Sequence, residues 1–171
     1  AKLVADDAAA NDEFGKSVSI SGEYAIIGAP IDDDGGNASG SAYIFKRSGT
    51  SWSQQAKLVA DDDDAGDWFG MGVSIDGDYA VVGCWQCNTG GNTNTGAAYV
   101  FVRSNTSWSQ QAKLVASDAA ANDDGGRMVA ISGDYAIVSA SGDNTGTGAA
   151  YVYKRSGTSW AQAQKLTSSD A

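Results

Sequence analysis

The chain contains no histidine, one proline and two cysteines in 171 residues. Without histidine the Ser-His and Cys-His pairs that activate most enzymatic nucleophiles cannot form, and an enzyme is not expected. Two cysteines and no histidine make a four-ligand structural zinc site within one chain implausible. The near-absence of proline leaves the turns mainly to Gly, Asn, Asp and Ser. No apolar run reaches the roughly 18 residues of a membrane span, so membrane insertion is not expected. No signal peptide is visible; the chain opens directly inside a repeated motif. Basic residues are few, 11 against 21 acidic, for a net charge of −10. That balance repels nucleic-acid phosphates and anionic membrane surfaces, and it can attract divalent cations.

What is present is a repeat. Ala1-Lys2-Leu3-Val4-Ala5-Asp6-Asp7 returns from Ala56 to Asp62 and again, with one change, from Ala112 to Asp118. A fourth copy starts at Lys165 and stops at Ala171. A period of 52 to 56 residues, read from Lys2, Lys57, Lys113 and Lys165, marks each repeat as a supersecondary unit that needs neighbours to bury its faces. We read residues 1–171 as a single repeat domain with units near 1–55, 56–111 and 112–164 and the start of a fourth at 165–171. Because it begins and ends within a repeat, the chain is expected to be part of a longer repetitive protein or processed at both ends, and to close by assembly.

Within the first unit, Phe14 to Ser21 alternates apolar and small polar residues, a strand pattern. Tyr24 to Ala29 is apolar on both faces, as in a strand covered on both sides. Ile31 to Gly40 is an Asp- and Gly-rich loop, Ser41 to Arg47 a third strand, and Ser51 to Val59 a more polar outer strand. On that outer strand Trp52, Ala56 and Leu58 are expected on one face, with Gln55 and Lys57 on the other. The same order recurs from Phe69 and from Arg127, and no segment has a helical period beyond a short turn expected within Asp6 to Asp12. Each unit thus reads as a four-strand antiparallel meander from a covered inner strand to a wetter outer one. That is a propeller blade.

The residues resemble the FG-GAP repeats of integrin-type β-propellers, in their bacterial and archaeal form. Phe14-Gly15 with Gly28-Ala29-Pro30 matches the motif in full; Phe69-Gly70 matches, but its partner reads Gly83-Cys84-Trp85. In the third unit Gly125-Gly126 and Ser139-Ala140-Ser141 replace both halves. The resemblance implies an all-β propeller, an extracellular or cell-surface location, and roles in adhesion or ligand display. The calcium loop that many members carry between the first two strands is not carried over, since Ser21-Gly22-Glu23 and its counterparts cannot supply roughly six to eight oxygens.

Three blades are fewer than the about four to eight of closed propellers, and the edges of an open arc are a liability. Two chains are expected to close a six-blade dimer ring; the alternatives are an open head-to-tail homo-oligomer or a place in a larger propeller. A β-trefoil or β-prism would fit the same strand count.

Candidate site residues fall into three groups. Asp32, Asp33 and Asp34, and Asp62, Asp64 and Asp67, could ligate Ca²⁺; ordinary turn chemistry explains the same residues. Trp68 and Trp85 lie outside the repeat pattern and are the candidates for contact with a glycan or protein ligand, as in a multivalent lectin. By contrast Trp52, Trp108 and Trp160, and the recurring tyrosines (Tyr24, Tyr79 and Tyr135; Tyr43, Tyr99 and Tyr151), are expected to be packing posts. Cys84 and Cys87 read as a short loop disulfide or as two free thiols, the redox reading lacking a strand-to-helix context. A disulfide would suit an extracellular compartment. The three long loops differ in length and content, which favours a structural, self-assembling role over identical repeated ligand sites.

Overall fold

The structure, a computed structural model, describes residues 1–169; the last two residues of the fourth motif copy lie outside the described range. Among the described residues twelve strands make three four-stranded antiparallel sheets, each pairing in simple sequence order. The first holds β1 (Ser17–Ser21), β2 (Tyr24–Ala29), β3 (Ser41–Ser48) and β4 (Ser51–Leu58). The second holds β5 (Phe69–Asp76), β6 (Tyr79–Cys84), β7 (Ala97–Ser104) and β8 (Ser107–Leu114). The third holds β9 (Gly125–Ser132), β10 (Tyr135–Ala140), β11 (Ala149–Ser156) and β12 (Ser159–Leu166). The sheets are the three blades that the meander pattern predicts. No strand crosses between them, unlike a β-trefoil, and they stack face against face, first on second and second on third, unlike the triangular walls of a β-prism. No helix among the described residues is long and apolar enough to cross a membrane.

The core lies between the blades. Ile26, Ile44 and Leu58 of the first meet Phe69, Val73, Ile75 and Tyr99 of the second. Val81, Val100 and Leu114 of the second meet Ile131, Val138 and Tyr151 of the third. Phe69 is fully buried, with its ring edge-on to Tyr99 and Phe101 at 5.5 and 6.0 Å. Phe14 repeats this against Tyr43 and Phe45. The Phe of the Phe-Gly pair is therefore the plug of its own blade.

Two expectations are corrected. No helical turn forms between Asp6 and Asp12, which hold two separate tight turns, at Asp6-Asp7 and at Ala10-Asn11; the Asp12 carboxylate accepts the Ala9 N–H at 2.7 Å and fixes the backbone in a loop instead. The face assignment of the outer strand also fails. Ile44 pairs with Ala56 but Phe45 with Gln54, so Gln55 is an extra residue in a bulge. A bulge shifts the period-2 alternation by one. Trp52 and Lys57 therefore share the face of Tyr43 and Phe45, while Gln55, Ala56 and Leu58 point to the second blade.

That inversion builds the junctions. Trp108 donates its indole N–H to Gln55 Oε1 at 3.1 Å and stands edge-on to Tyr24 at 6.3 Å. Trp160 repeats both contacts with Gln111 and Tyr79. The guanidinium of Arg103 lies 4.4 Å from the centre of the Tyr24 ring, and that of Arg155 lies 4.2 Å from Tyr79. Each is oriented by an aspartate, Asp78 or Asp134. Trp108 and Trp160 are posts between blades, as are Tyr24 and Tyr79, whereas Trp52 packs on its own blade's cluster. Tyr135, at the same position of the third blade, is 48% exposed, with the Lys154 ammonium 5.5 Å from its ring centre and no tryptophan against it.

Candidate functional site

The polar chemistry gathers where the long loop after the second strand meets the linker that enters the blade. In the first blade Lys57 lies across from Tyr43, with its Nζ 5.3 Å from the ring centre. The ammonium donates to Asp7 at 2.8 Å, to Asp32 at 3.1 Å and to Asp34. Tyr43 donates its hydroxyl to Asp32 at 2.6 Å. Burial pushes the Asp32 carboxyl up, but hydrogen bonds from Tyr43 and Lys57 outweigh it and hold the group below its ordinary range. Asp7 is lowered by the same balance. Burial alone would lower the Lys57 ammonium; the bonds to Asp34 and Asp7 raise it above its ordinary value instead. One ammonium thus bridges three carboxylates, with the buried Asp32 also held by Tyr43.

The third blade rebuilds the arrangement. Lys165 meets Asp118 at 2.8 Å and Asp143 at 2.9 Å, and Tyr151 donates to Asp143 at 3.2 Å. Asp143 sits in a single turn over Asp143–Gly146 whose Asn144 and Thr145 have positive φ, so it is a left-handed turn rather than a helix.

The second blade departs. Counting three residues beyond the ends of β2, β6 and β10 reaches Asp32, Cys87 and Asp143, so a cysteine replaces the buried aspartate. Cys84 and Cys87 are joined in a disulfide, and Tyr99 Oη lies 3.5 Å from Cys87 Sγ. Lys113 keeps the linker partner Asp62, at 2.6 Å. Disulfide sulfur is a weak, uncharged acceptor, so this blade trades a buried ion pair for a covalent link.

Asp67 lies beside that link. It is buried, with Oδ2 accepting the Asp64 N–H at 3.2 Å and lying 3.5 Å from Cys87 Sγ. Burial raises its carboxyl to about 6, with the charges of Asp64 and Asp63 adding to the effect. The folded state therefore holds a proton that the unfolded chain has released, and Asp67 removes stability as pH rises from about 4 through 6. Asp67→Asn should raise stability by about 1 kcal/mol at pH 7.5 and leave it unchanged near pH 4. Urea melts at the two pH values check this; equal effects at both would contradict it.

The six aspartates named as metal candidates thus occupy separate settings. Asp32 and Asp34 converge, with Asp7 rather than Asp33 as the third carboxylate, and the three oxygens lie within 4.8 Å of one another. The Lys57 ammonium already stands among them, so a cation would have to displace it. Asp33 is exposed and offers its carbonyl to Gly36 N. Asp62 faces Lys113, while Asp64 and Asp67 pair within their own turn. The lysines are the residues that sequence reasoning missed. The signal was the motif itself: each lysine reaches the aspartate of the copy one repeat earlier, Lys57 to Asp7, Lys113 to Asp62 and Lys165 to Asp118.

Trp68 and Trp85 are brought together, as edge-to-face rings 5.3 Å apart. Arg127 of the third blade lies 5.1 Å over Trp85. Both rings are half-buried. An edge-to-face pair sets the face of one ring against the edge of the other, and Arg127 stands over the ring of Trp85.

A comparison with curated proteins finds no match. Three stretches, residues 1–45, 52–101 and 108–153, match the FG-GAP repeat, one per blade. These matches cover most of the chain; each runs through a blade's first two strands into its third, the second and third starting in the outer strand of the blade before, and the Phe-Gly plugs and close-packed glycines of the junctions are the positions the repeat is named for. The chain therefore belongs to the FG-GAP repeat family of β-propeller proteins.

Proposed function

We propose that the chain is a non-enzymatic, extracellular β-propeller module whose work is structural: it self-associates through the open faces of its first and third blades. The observation that supports this reading is the state of those two faces. Val18 and Ile20 are 69% and 65% exposed, whereas Val73 and Ile75, at the same positions of the second blade, are 7% and 4% exposed. On the third blade Tyr135, Ile137 and Leu166 are exposed, whereas Ile26, Val81, Leu58 and Leu114 at the matching internal positions are buried. The two faces are the complementary halves of the junction that already occurs twice within the chain. A second copy whose first blade meets this third blade places Trp52 and Arg47 against Tyr135, continuing the series of Trp108 and Arg103 on Tyr24. Two copies close a six-blade ring, and further copies make an open array. The extracellular setting is supported by the family and by the Cys84–Cys87 disulfide.

Light scattering over a range of protein concentrations tests this. A mass twice that of the monomer is expected for the ring, and Tyr135→Ser, at an exposed position, should return it to the monomer. A monomer at every concentration would remove the proposal.

A further inference from the structure

At both internal junctions a glycine of the second strand lies directly under the next blade's inner strand. A Cβ on Gly28 would lie 2.0 Å from the Gly70 carbonyl oxygen, and one on Gly83 would lie 1.8 Å from that of Gly126. Both obstacles are backbone, so this blade spacing exists only where the residue has no side chain. Gly28 pairs with Ala42 and Gly83 with Ala98; in the third blade the matching pair is Ser139 with Ala150. Ser139 Oγ accepts the Met128 N–H at 3.0 Å, which fixes the side chain in place.

Other departures share that face. Gln55 and Gln111 occupy the outer-strand bulges and accept the next blade's indole N–H. In β12 the bulge residue is Ala163, between the pairs Val152–Gln164 and Tyr153–Gln162, and it has no acceptor to offer. Gln164 pairs where Ala56 and Ala112 pair in the other blades. Met128, 70% exposed, follows Arg127 where Ser17 follows Lys16 and Gly72 follows Met71. The third blade thus keeps the apolar posts of a junction and loses the elements that let the next blade close onto it.

We infer that Ser139 holds the join between copies wider than the joins within a copy, with Ala163 removing its hydrogen bond, so that Ser139 sets the strength of self-association. The occupant of this face is the first blade of a second copy. The inference rests on the assembly reading above. The feature follows from backbone geometry: the Gly15 carbonyl of the incoming copy takes the place of Gly70, and a side chain now stands in its path. A wider join leaves apolar surface incompletely covered and forfeits dispersion contacts.

Sedimentation velocity on a dilution series of wild type, Ser139→Gly, Ser139→Ala and Ser139→Gly/Ala163→Gln tests it. Ser139→Gly should tighten association at least 10-fold and the double variant further. Ser139→Ala, which keeps Cβ but loses the hydroxyl, should stay near wild type. Circular dichroism reports that each variant is folded. If wild type associates and the glycine variants do so no more tightly, the inference is overturned while the assembly reading stands. If wild type is monomeric and Ser139→Gly associates, the inference holds and assembly of the native chain fails. If none associates, both fall. Tightening by Ser139→Ala equal to that by Ser139→Gly would assign the effect to the hydroxyl and overturn the steric inference.

Discussion

Gly83→Ala should destabilise the protein by about 3 kcal/mol or more, one of the largest effects available to a single methyl. Its Cβ would lie 1.8 Å from the Gly126 carbonyl oxygen and 2.8 Å from the carbonyl carbon. These atoms belong to the inner strand of the third blade, which pairs with β10 on both sides of them, at Gly125 and from Val129 to Ser132. No side chain can rotate away, so the strain is relieved only by parting the second and third blades. That would uncover the cluster of Val81, Val100, Leu114, Val138 and Tyr151. Gly77→Ala is the matched control. Gly77 also lies in the second blade, at φ +57° with nothing near its Cβ direction, so alanine there meets only the left-handed backbone cost of about 1 kcal/mol. Urea unfolding separates the two, and a Gly83→Ala loss no greater than that of Gly77→Ala would contradict the junction geometry.

The second large effect is expected at Lys57. Lys57→Met leaves the buried Asp32 carboxylate without its cation and beside Asp7 and Asp34. Removing one partner of a buried pair costs about 3 kcal/mol, because the remaining charge is both desolvated and repelled. Lys113→Met in the second blade should cost no more than about 1 kcal/mol, since Cys87 stands where the buried aspartate would be and Asp62 is exposed. The difference between chemically identical substitutions at equivalent positions measures the contribution of the buried carboxylate. It also carries a pH signature. Asp7 and Asp32 are held below the ordinary carboxylate range, so their contribution is fully present above that range and is lost as pH falls through their lowered values. Lys57 is raised, so its contribution persists until strongly alkaline pH. The Lys57→Met penalty should therefore shrink as pH falls below the ordinary carboxylate range and stay constant from pH 5 to 9. A penalty that is flat into acid would mean that the lysine serves by packing its methylenes on Tyr43 rather than by charge.

Together these results describe a module in which neighbouring blades supply what one blade cannot. The first two blades present glycine and glutamine to the next; the third presents Ser139 and Ala163. The same apolar posts therefore stand in two settings, closed junctions within the chain and an open face that carries Ser139 and Ala163.

Much of this was legible in the residues. The period of the Lys-Leu-Val-Ala motif, the alternation along each strand and the Gly- and Asp-rich turns determined twelve strands in three antiparallel units, because strand pattern and hairpin pairing are local. The two-residue turn at Gly22-Glu23 was legible for the same reason. Only the tertiary structure decided what depends on residues about fifty positions apart. The bulge at Gln55 inverts the face that Trp52 occupies, and alternation cannot register an inserted residue until the partner strand is seen. The pairing of Lys57 with Asp7 joins different copies of one motif, which a repeat read copy by copy does not reveal. The substitution of Cys87 for Asp32 and Asp143, and of Ser139 for Gly28 and Gly83, gained meaning from the neighbours packed against them. Sequence spacing sets which residues recur; the distance between one blade's backbone and the next decides which recurrences can be broken.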